Sequence, residues 1–508
     1  MNRLFRPSRA AAVLLALAGA LAWAAPAWAA QPWLRAESRH FSLLAQTSEA
    51  TARKRLAELE RQQSLMLMAL GVPERGARSP APLLLVSDPA LIARVDGTGR
   101  PNLHAMTGAT VDGFPLVALD VATVAVNPLL FVNAHRVSRR FARAGQPDWY
   151  SSGLGNYFGN VSFGADAVEI GGIDTFLTQL EGRRWMDLAE VLKSGEVPSH
   201  QQEIYTAQAW LLTHYAHSDV DRLPRFNAYL QRVAVGEDAL AALEPATGLS
   251  VDALTRELRR HLRKLGVVHL PTGKAPDIRI TAVAEAQALA EVDAIAIAAW
   301  PTAETGKSLL QSLRDRVAQA GGEQAPDVMR WALAYAETRF GDPERALLLL
   351  SPWARQDPAP FEANRLLGWA WLAEAERSQG ADRDLALKQA RAFLVTAHKQ
   401  RPDDAPTLYH LARALQAAGN TSVTLSNVAE AAALLEPSVT AYTELAAQAH
   451  LQTGDRARAL RSLRALVSSK AKDEQANARA ALLALQSNET PATALALLNA
   501  PKKPNKKP

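Results

Sequence analysis

Cysteine is absent from the 508 residues. That single absence excludes disulfides, thiolate metal sites, a cysteine nucleophile and a lipid-modified cysteine anchor. A chain of this size without disulfides relies on ordinary apolar cores, and its length suffices for two or more domains. Long apolar runs are scarce as well: beyond residue 22 no segment approaches the roughly twenty apolar residues that span a bilayer. An excess of one charge sign is also lacking. The formal charge of +5 falls to +2 without Arg3, Arg6 and Arg9, and to −2 without the four lysines of Pro501–Pro508. Nucleic-acid binding calls for a basic face on the folded domains, and here only the tail is basic, so no nucleic-acid partner is expected.

What the first thirty residues do contain is the layout of a secretory signal. Arg3, Arg6 and Arg9 precede an apolar stretch, Ala10 to Ala22, and Ala27-Trp28-Ala29 forms a small-residue cleavage site. Pro26 and the alanine-rich character oppose a permanent spanning helix, so residues 1–29 are expected to be a cleavable signal peptide. Together with the missing cysteines this points to a periplasmic or secreted protein of a Gram-negative bacterium.

The most informative segment is Asn133-Ala-His-Arg-Val-Ser-Arg-Arg-Phe141, followed by Gln146-Pro-Asp-Trp-Tyr-Ser-Ser-Gly-Leu-Gly-Asn-Tyr-Phe158. In a helical zinc site, His-Glu-x-x-His places two imidazoles one turn apart on one face, with the intervening Glu as general base. A third ligand comes from a second helix. Pro147, Trp149, Gly153, Leu154, Tyr157 and Phe158 match the second-helix segment of the gluzincin-like peptidase MA domains, which this chain resembles. Trp33 to Leu43 resembles the opening strand of that family, and Tyr205 to Tyr215 its Tyr-Ala-x-Ser-Trp helix. The resemblance thus spans about residues 33 to 263.

The resemblance places His135 at the first zinc ligand, Arg136 at the catalytic Glu, Arg139 at the second His and Ser152 at the ligand Glu; Gly155 stands where Ala is usual. Three of four chemical positions are therefore lost, and two of them are cations that repel a divalent metal. A serine hydroxyl is a poor zinc ligand beside a carboxylate. The site is expected to be degenerate, with no metal and no catalytic residue. The alternative is an active zinc metallopeptidase with a non-standard site, for which zinc would be the cofactor. The cleft edge at Trp149 and Tyr150 is the expected place for retained peptide binding.

Periodicity and turn residues organise the rest. Apolar spacing predicts a helix over 47–70, ended by Gly71 and Pro73, a strand over 82–87, and short strands within 104–120. Helices follow over 127–143, 148–159, 204–216, 222–234 and 251–265. Pro271, Gly273 and Pro276 suggest a linker over 267–281. Beyond it, Ala/Leu-rich helix pairs repeat: Gly341-Asp-Pro, Gly419-Asn and Gly454-Asp fall at turns, and Gly419 and Gly454 stand 35 residues apart. These features resemble tetratricopeptide (TPR) repeats. The second repeat carries about ten extra residues near Ser378, read as a lengthened turn.

The fold class expected is an α+β zincin-like domain (30–266) followed by an all-α TPR-type solenoid (282–490). Residues 491–508 read as a disordered Pro/Lys tail. In such an array the first helix of each pair lines a concave face. Trp331, Tyr335, Arg365, Trp369, Tyr409, Arg413 and Gln448 are the groove-facing candidates for binding a peptide; the alternative is that their aromatics pack between adjacent repeats. His214 and His217, at i and i+3, could in principle share a metal, but no neighbouring carboxylate completes a set. The expected function is an exported, non-catalytic pseudopeptidase scaffold that binds a peptide or protein partner through the TPR groove.

Overall fold

The computed structural model describes residues 31–72, 80–96, 105–107, 110–113, 116–119, 128–141, 146–164, 166–172, 179–181, 184–193, 197–271, 273–299, 301–468 and 476–501. The expected signal peptide, Pro73 and the lysines of the tail lie outside them. The chain opens with β1 (Trp33–Glu37), β2 (Phe41–Gln46), α1 (Glu49–Ala69), β3 (Ala81–Val86), α2 (Pro89–Asp96), β4 (Ala105–Thr107) and β5 (Leu116–Leu119). Then come α3 (Pro128–Phe141), α4 (Asp148–Gly159), β6 (Ser162–Phe163), β7 (Ala167–Ile170), α5 (Leu188–Lys193), α6 (Gln202–His217), α7 (Arg222–Ala234), α8 (Ala239–Thr247) and α9 (Val251–Leu262). Two more strands follow, β8 (Val268–Pro271) and β9 (Arg279–Ala282).

Six strands form one mixed sheet in the order β4-β5-β3-β2-β1-β9, in which β2, β3 and β5 run parallel. Parallel strands are covered on both faces and read as continuous apolar runs, which is why Pro82-Leu-Leu-Leu-Val86 lacks alternation. Phe41, Leu43, Leu83, Leu85 and Leu116 face one side and pack with α1, α3, α4 and α6. Leu44, Leu84, Val86 and Val117 face the other and join Ile92 and Val95 of α2. The stretch read as a linker is therefore structural: β9 completes the large sheet beside β1, and β8 pairs with β7. Its pairing partners lie far upstream, so nothing in its local proline and glycine content revealed them.

The remaining helices are α10 (Glu285–Ala299), α11 (Ala303–Gln319), α12 (Asp327–Phe340), α13 (Pro343–Ala354), α14 (Phe361–Arg377) and α15 (Gly380–Gln400). They continue with α16 (Ala405–Ala417), α17 (Val423–Leu435), α18 (Thr440–Gln452), α19 (Arg456–Ser468), α20 (Ala476–Gln486) and α21 (Pro491–Leu498). Stacked as antiparallel pairs, they form a helical solenoid. Gly419 (φ 70°) and Gly454 (φ 74°) adopt the left-handed conformation at their turns, a role glycine fills at little cost. Gly368 lets α14 and α15 close up, since a Cβ there would stand 2.5 Å from Leu394 Cγ.

Two expectations are corrected here. The extra residues of the second repeat do not lengthen its turn, which is Ser378-Gln379 alone; they extend the helices to 17 and 21 residues. The tail begins as a helix, because Thr490 caps it by accepting from Thr493 N and Pro491 occupies its first turn.

The solenoid does not hang free from the sheet. Helix α10 and the start of the array cover the second face, so Ala288, Val292 and Ile297 share one core with Leu44, Leu84 and Val117. Buried Asp293 of α10 is held by Arg94 of α2, by Arg316 and by Ser312 Oγ (3.2 Å). No described helix is long and apolar enough to cross a membrane.

Candidate functional site

Helices α3 and α4 pack side by side, as the sequence segment at 133–158 requires, yet they do not assemble a ligand set. His135 Nε2 lies 3.2 Å from Asn156 Oδ1, and its ring meets that of Phe131 at 4.6 Å. Burial, and then the Arg139 guanidinium, push the His135 pKa down to about 4, so the ring is neutral at neutral pH. Gly155 explains why alanine does not suit this chain: a Cβ there would fall 2.5 Å from His135 Nδ1.

Arg136, expected at the position of a catalytic Glu, is 4% exposed. Its Nε and Nη2 donate to Asn133 Oδ1 at 3.2 and 3.0 Å, and the guanidinium lies 5.6 Å from the Phe41 ring centre. Asn133 Nδ2 donates in turn to Gln62 Oε1 (2.8 Å), and Gln62 Nε2 donates to the carbonyls of Leu130 and Phe158. Arg136 is thus part of a buried polar network joining α1, α3 and α4. Burial and then Arg140 lower its pKa to about 10, which leaves it charged at neutral pH. Arg139 is exposed and Ser152 half-buried, its carbonyl accepting from Asn156 Nδ2 (2.9 Å).

Trp149 and Tyr150 are largely buried, although Tyr150 also lines a pocket with Arg140, Gln146 and Asn227. They are 0% and 4% exposed, Trp149 stacking on Tyr229 and Tyr150 on His217. The Pro-x-Trp segment is a packing element: its aromatic side chains fill the core between α4, α6 and α7. His214 and His217 do not converge on a common open site either. His214 Nδ1 meets His261 Nε2 at 2.9 Å, and its Nε2 meets the Gly266 carbonyl at 3.1 Å. Among the described residues no group of three or more His, Cys, Asp or Glu side chains is placed to hold a metal ion.

The first helices of the solenoid pairs are different. Trp331 and Tyr335 on α12, Arg365 and Trp369 on α14, Tyr409 and Arg413 on α16 and Gln448 on α18 all come from the first helix of their pair. Their rings form a run: Tyr335 to Trp369 (5.2 Å), Trp369 to His410 (4.9 Å), His410 to Tyr409 (5.4 Å) and Tyr409 to Tyr442 (5.0 Å). Tyr335 and Trp369 are buried, whereas Trp331, Arg365, Tyr409, Arg413 and Gln448 remain half-buried. Arg365 pairs with Glu362 (2.9 Å) and Arg413 with Glu376. At the end nearest the sheet lies a cavity of about 690 Å3, lined by Arg35, Leu44, Asp112, Trp331, Tyr335 and Arg365.

Four groove residues escaped the sequence reading. Arg339 follows Tyr335 by one helical turn and was legible by extending the spacing, whereas His410 and Tyr442 lie off that face and are buried. Asp112 was not legible: it belongs to a tight turn, Thr110–Gly113, of the amino-terminal part. Tyr335 Oη donates to Asp112 Oδ2 at 2.8 Å across 223 residues of chain, and Arg339 pairs with the same oxygen.

No protein-family model matches the chain, and no curated protein matches it. Among solved structures, the crystal structure of a thermophilic TPR protein in Thermus thermophilus is similar over 38% of this chain and 91% of that one, at 18% identity and a TM-score of 0.30. A likeness this weak adds nothing to what the helix pairs themselves display.

Proposed function

We propose that the chain is an exported, non-catalytic scaffold whose TPR-type array binds a protein or peptide partner on its concave face. Its amino-terminal part is then a degenerate, peptidase MA-like domain that serves as framework. The observation that carries this reading is the aromatic and arginine strip along α12, α14, α16 and α18. Tryptophan, tyrosine and arginine dominate binding energy at protein interfaces: the aromatics bury much area with few rotatable bonds, and arginine adds a planar multi-donor group that stacks on rings. Export is supported by the leader-like first 29 residues. Loss of catalysis is supported by the donors on α3 and α4, where one neutral imidazole stands among arginines, a serine and an asparagine.

The test uses partners identified by crosslinking to the full mature chain. Trp331→Ala combined with Arg413→Glu, both at half-buried positions, is expected to weaken the captured partner by at least about thirtyfold, equivalent to roughly 2 kcal/mol at one hot spot. Unchanged affinity in a variant with native circular dichroism would remove the groove from the function.

A further inference from the structure

The groove already has an occupant. The turn Thr110–Gly113 is closed by reciprocal backbone hydrogen bonds of 3.3 Å, and Thr110 Oγ1 donates to the Gly113 carbonyl. Gly113 (φ 131°) takes a conformation that other residues rarely adopt. This turn projects Val111 and Asp112 into the concave face. The Asp112 side chain is 1% exposed, held by Tyr335 and Arg339, with His410 Nε2 3.8 Å from its Oδ1. Val111 packs among Ala405, Leu408 and Tyr442, and its carbonyl accepts from Tyr442 Oη at 2.8 Å.

The fit is incomplete. Among the described residues Asp112 Oδ1 has no hydrogen-bond partner, and neither ring nitrogen of His410 has one. A buried polar atom left without a partner has lost its hydration without compensation. A carboxylate placed slightly deeper could accept from Tyr335, Arg339 and His410 together. The tyrosines remain donors, because burial holds both phenols above their ordinary range. His410 is neutral, pushed down to about 3 by burial and then by Arg413 and Arg365, so it offers one N–H and not a charge.

We infer that Val111–Asp112 occupies the partner site in cis, and that the partner is a peptide segment presenting an apolar residue followed by a carboxylate, which binds by displacing this turn. The inference rests on the groove reading above and names its ligand chemistry. Because the cis ligand is tethered, it competes at a high effective concentration, and a free peptide gains access only when the turn is weakened or out-competed.

The probe is a fluorescein-labelled peptide copying residues 109–114 of this chain, Ala-Thr-Val-Asp-Gly-Phe, titrated into the full mature protein by anisotropy. A Val111→Ser/Asp112→Ser variant is expected to bind it at least tenfold more tightly than the unmodified chain. The gain should vanish when Arg339→Ala is added, or when the peptide carries Asn for Asp. No binding to the folded double variant would overturn the proposal and make the turn a fixed bracket between sheet and solenoid. Should the double variant unfold, hydrogen exchange at the 110–113 amides of the unmodified chain must rise with millimolar peptide; unchanged exchange overturns the proposal equally. Peptide binding with partner capture unaffected by Trp331→Ala/Arg413→Glu would leave the cis contact standing and sink only the scaffold reading. The reverse pattern would keep the scaffold and remove the cis ligand.

Discussion

Arg136→Glu, which reinstates the acid that the peptidase pattern calls for, is expected to destabilise the fold by about 3–5 kcal/mol and to create no hydrolytic site. The physical reason is local. Arg136 is buried, donates twice to Asn133 Oδ1 and once, at 3.5 Å, to Gln63 Oε1, and lies beside the Phe41 ring. A carboxylate in its place would point negative charge at two amide oxygens and at the electron-rich face of an aromatic ring, with several donors deleted. Flipping the Asn133 and Gln63 amides would recover part of the loss, but Asn133 Nδ2 already donates to Gln62 Oε1, and Gln62 cannot turn to suit because its Nε2 holds the carbonyls of Leu130 and Phe158. Urea unfolding monitored by circular dichroism measures the difference. An Arg136→Glu variant as stable as the parent would mean that this position faces an open cleft.

The second large effect concerns the joint between sheet and solenoid. Asp293→Ala is expected to cost about 2–4 kcal/mol and to split one unfolding transition into two. Asp293 is 0% exposed, while Arg94 and Arg316 are 35% and 27% exposed. The arginines can turn toward water once their partner is lost, which keeps the cost below that of a fully trapped charge. What is removed is the tie between α2, beneath the sheet, and α10–α11, at the head of the array. Differential scanning calorimetry reads both outcomes. One unchanged, cooperative endotherm would show that apolar contact alone couples the two parts.

The sequence was most readable where short-range rules operate. Helix α4 was predicted over its observed residues because Gln146-Pro147 isolates it and proline is favoured at a helix start. The buried run at 82–86 announced a covered strand, and Gly419 and Gly454 located repeat turns through their left-handed requirement. Thr490-Pro491 carried a cap signal too, but the lysine-rich composition that follows it masked the helix. Strand β9 was illegible because four residues of Arg-Ile-Thr-Ala become a strand only beside β1.

The groove was legible by half. Helical spacing picked out positions on the first helix of each pair, three of which (Trp331, Tyr335 and Arg365) line one cavity, but it could not separate Tyr335 and Trp369, which are buried, from their more open neighbours. Asp112 had no periodicity to betray it, since its partners on α12 and α16 are brought to it only by the docking of the sheet onto α10. Burial was not legible at Trp149 and Tyr150 for the opposite reason. Their positions match an active-site segment, but burial against Tyr229 and His217 gives them a role in the core.

The central claim is that α3 and α4 are framework and that the working surface is the groove. The most direct test is the metal content of the mature protein purified without chelator, measured by mass spectrometry beside His135→Ala. The account predicts substoichiometric zinc that is the same in both proteins. One equivalent of zinc per chain, lost on His135→Ala together with peptidase activity, would contradict it.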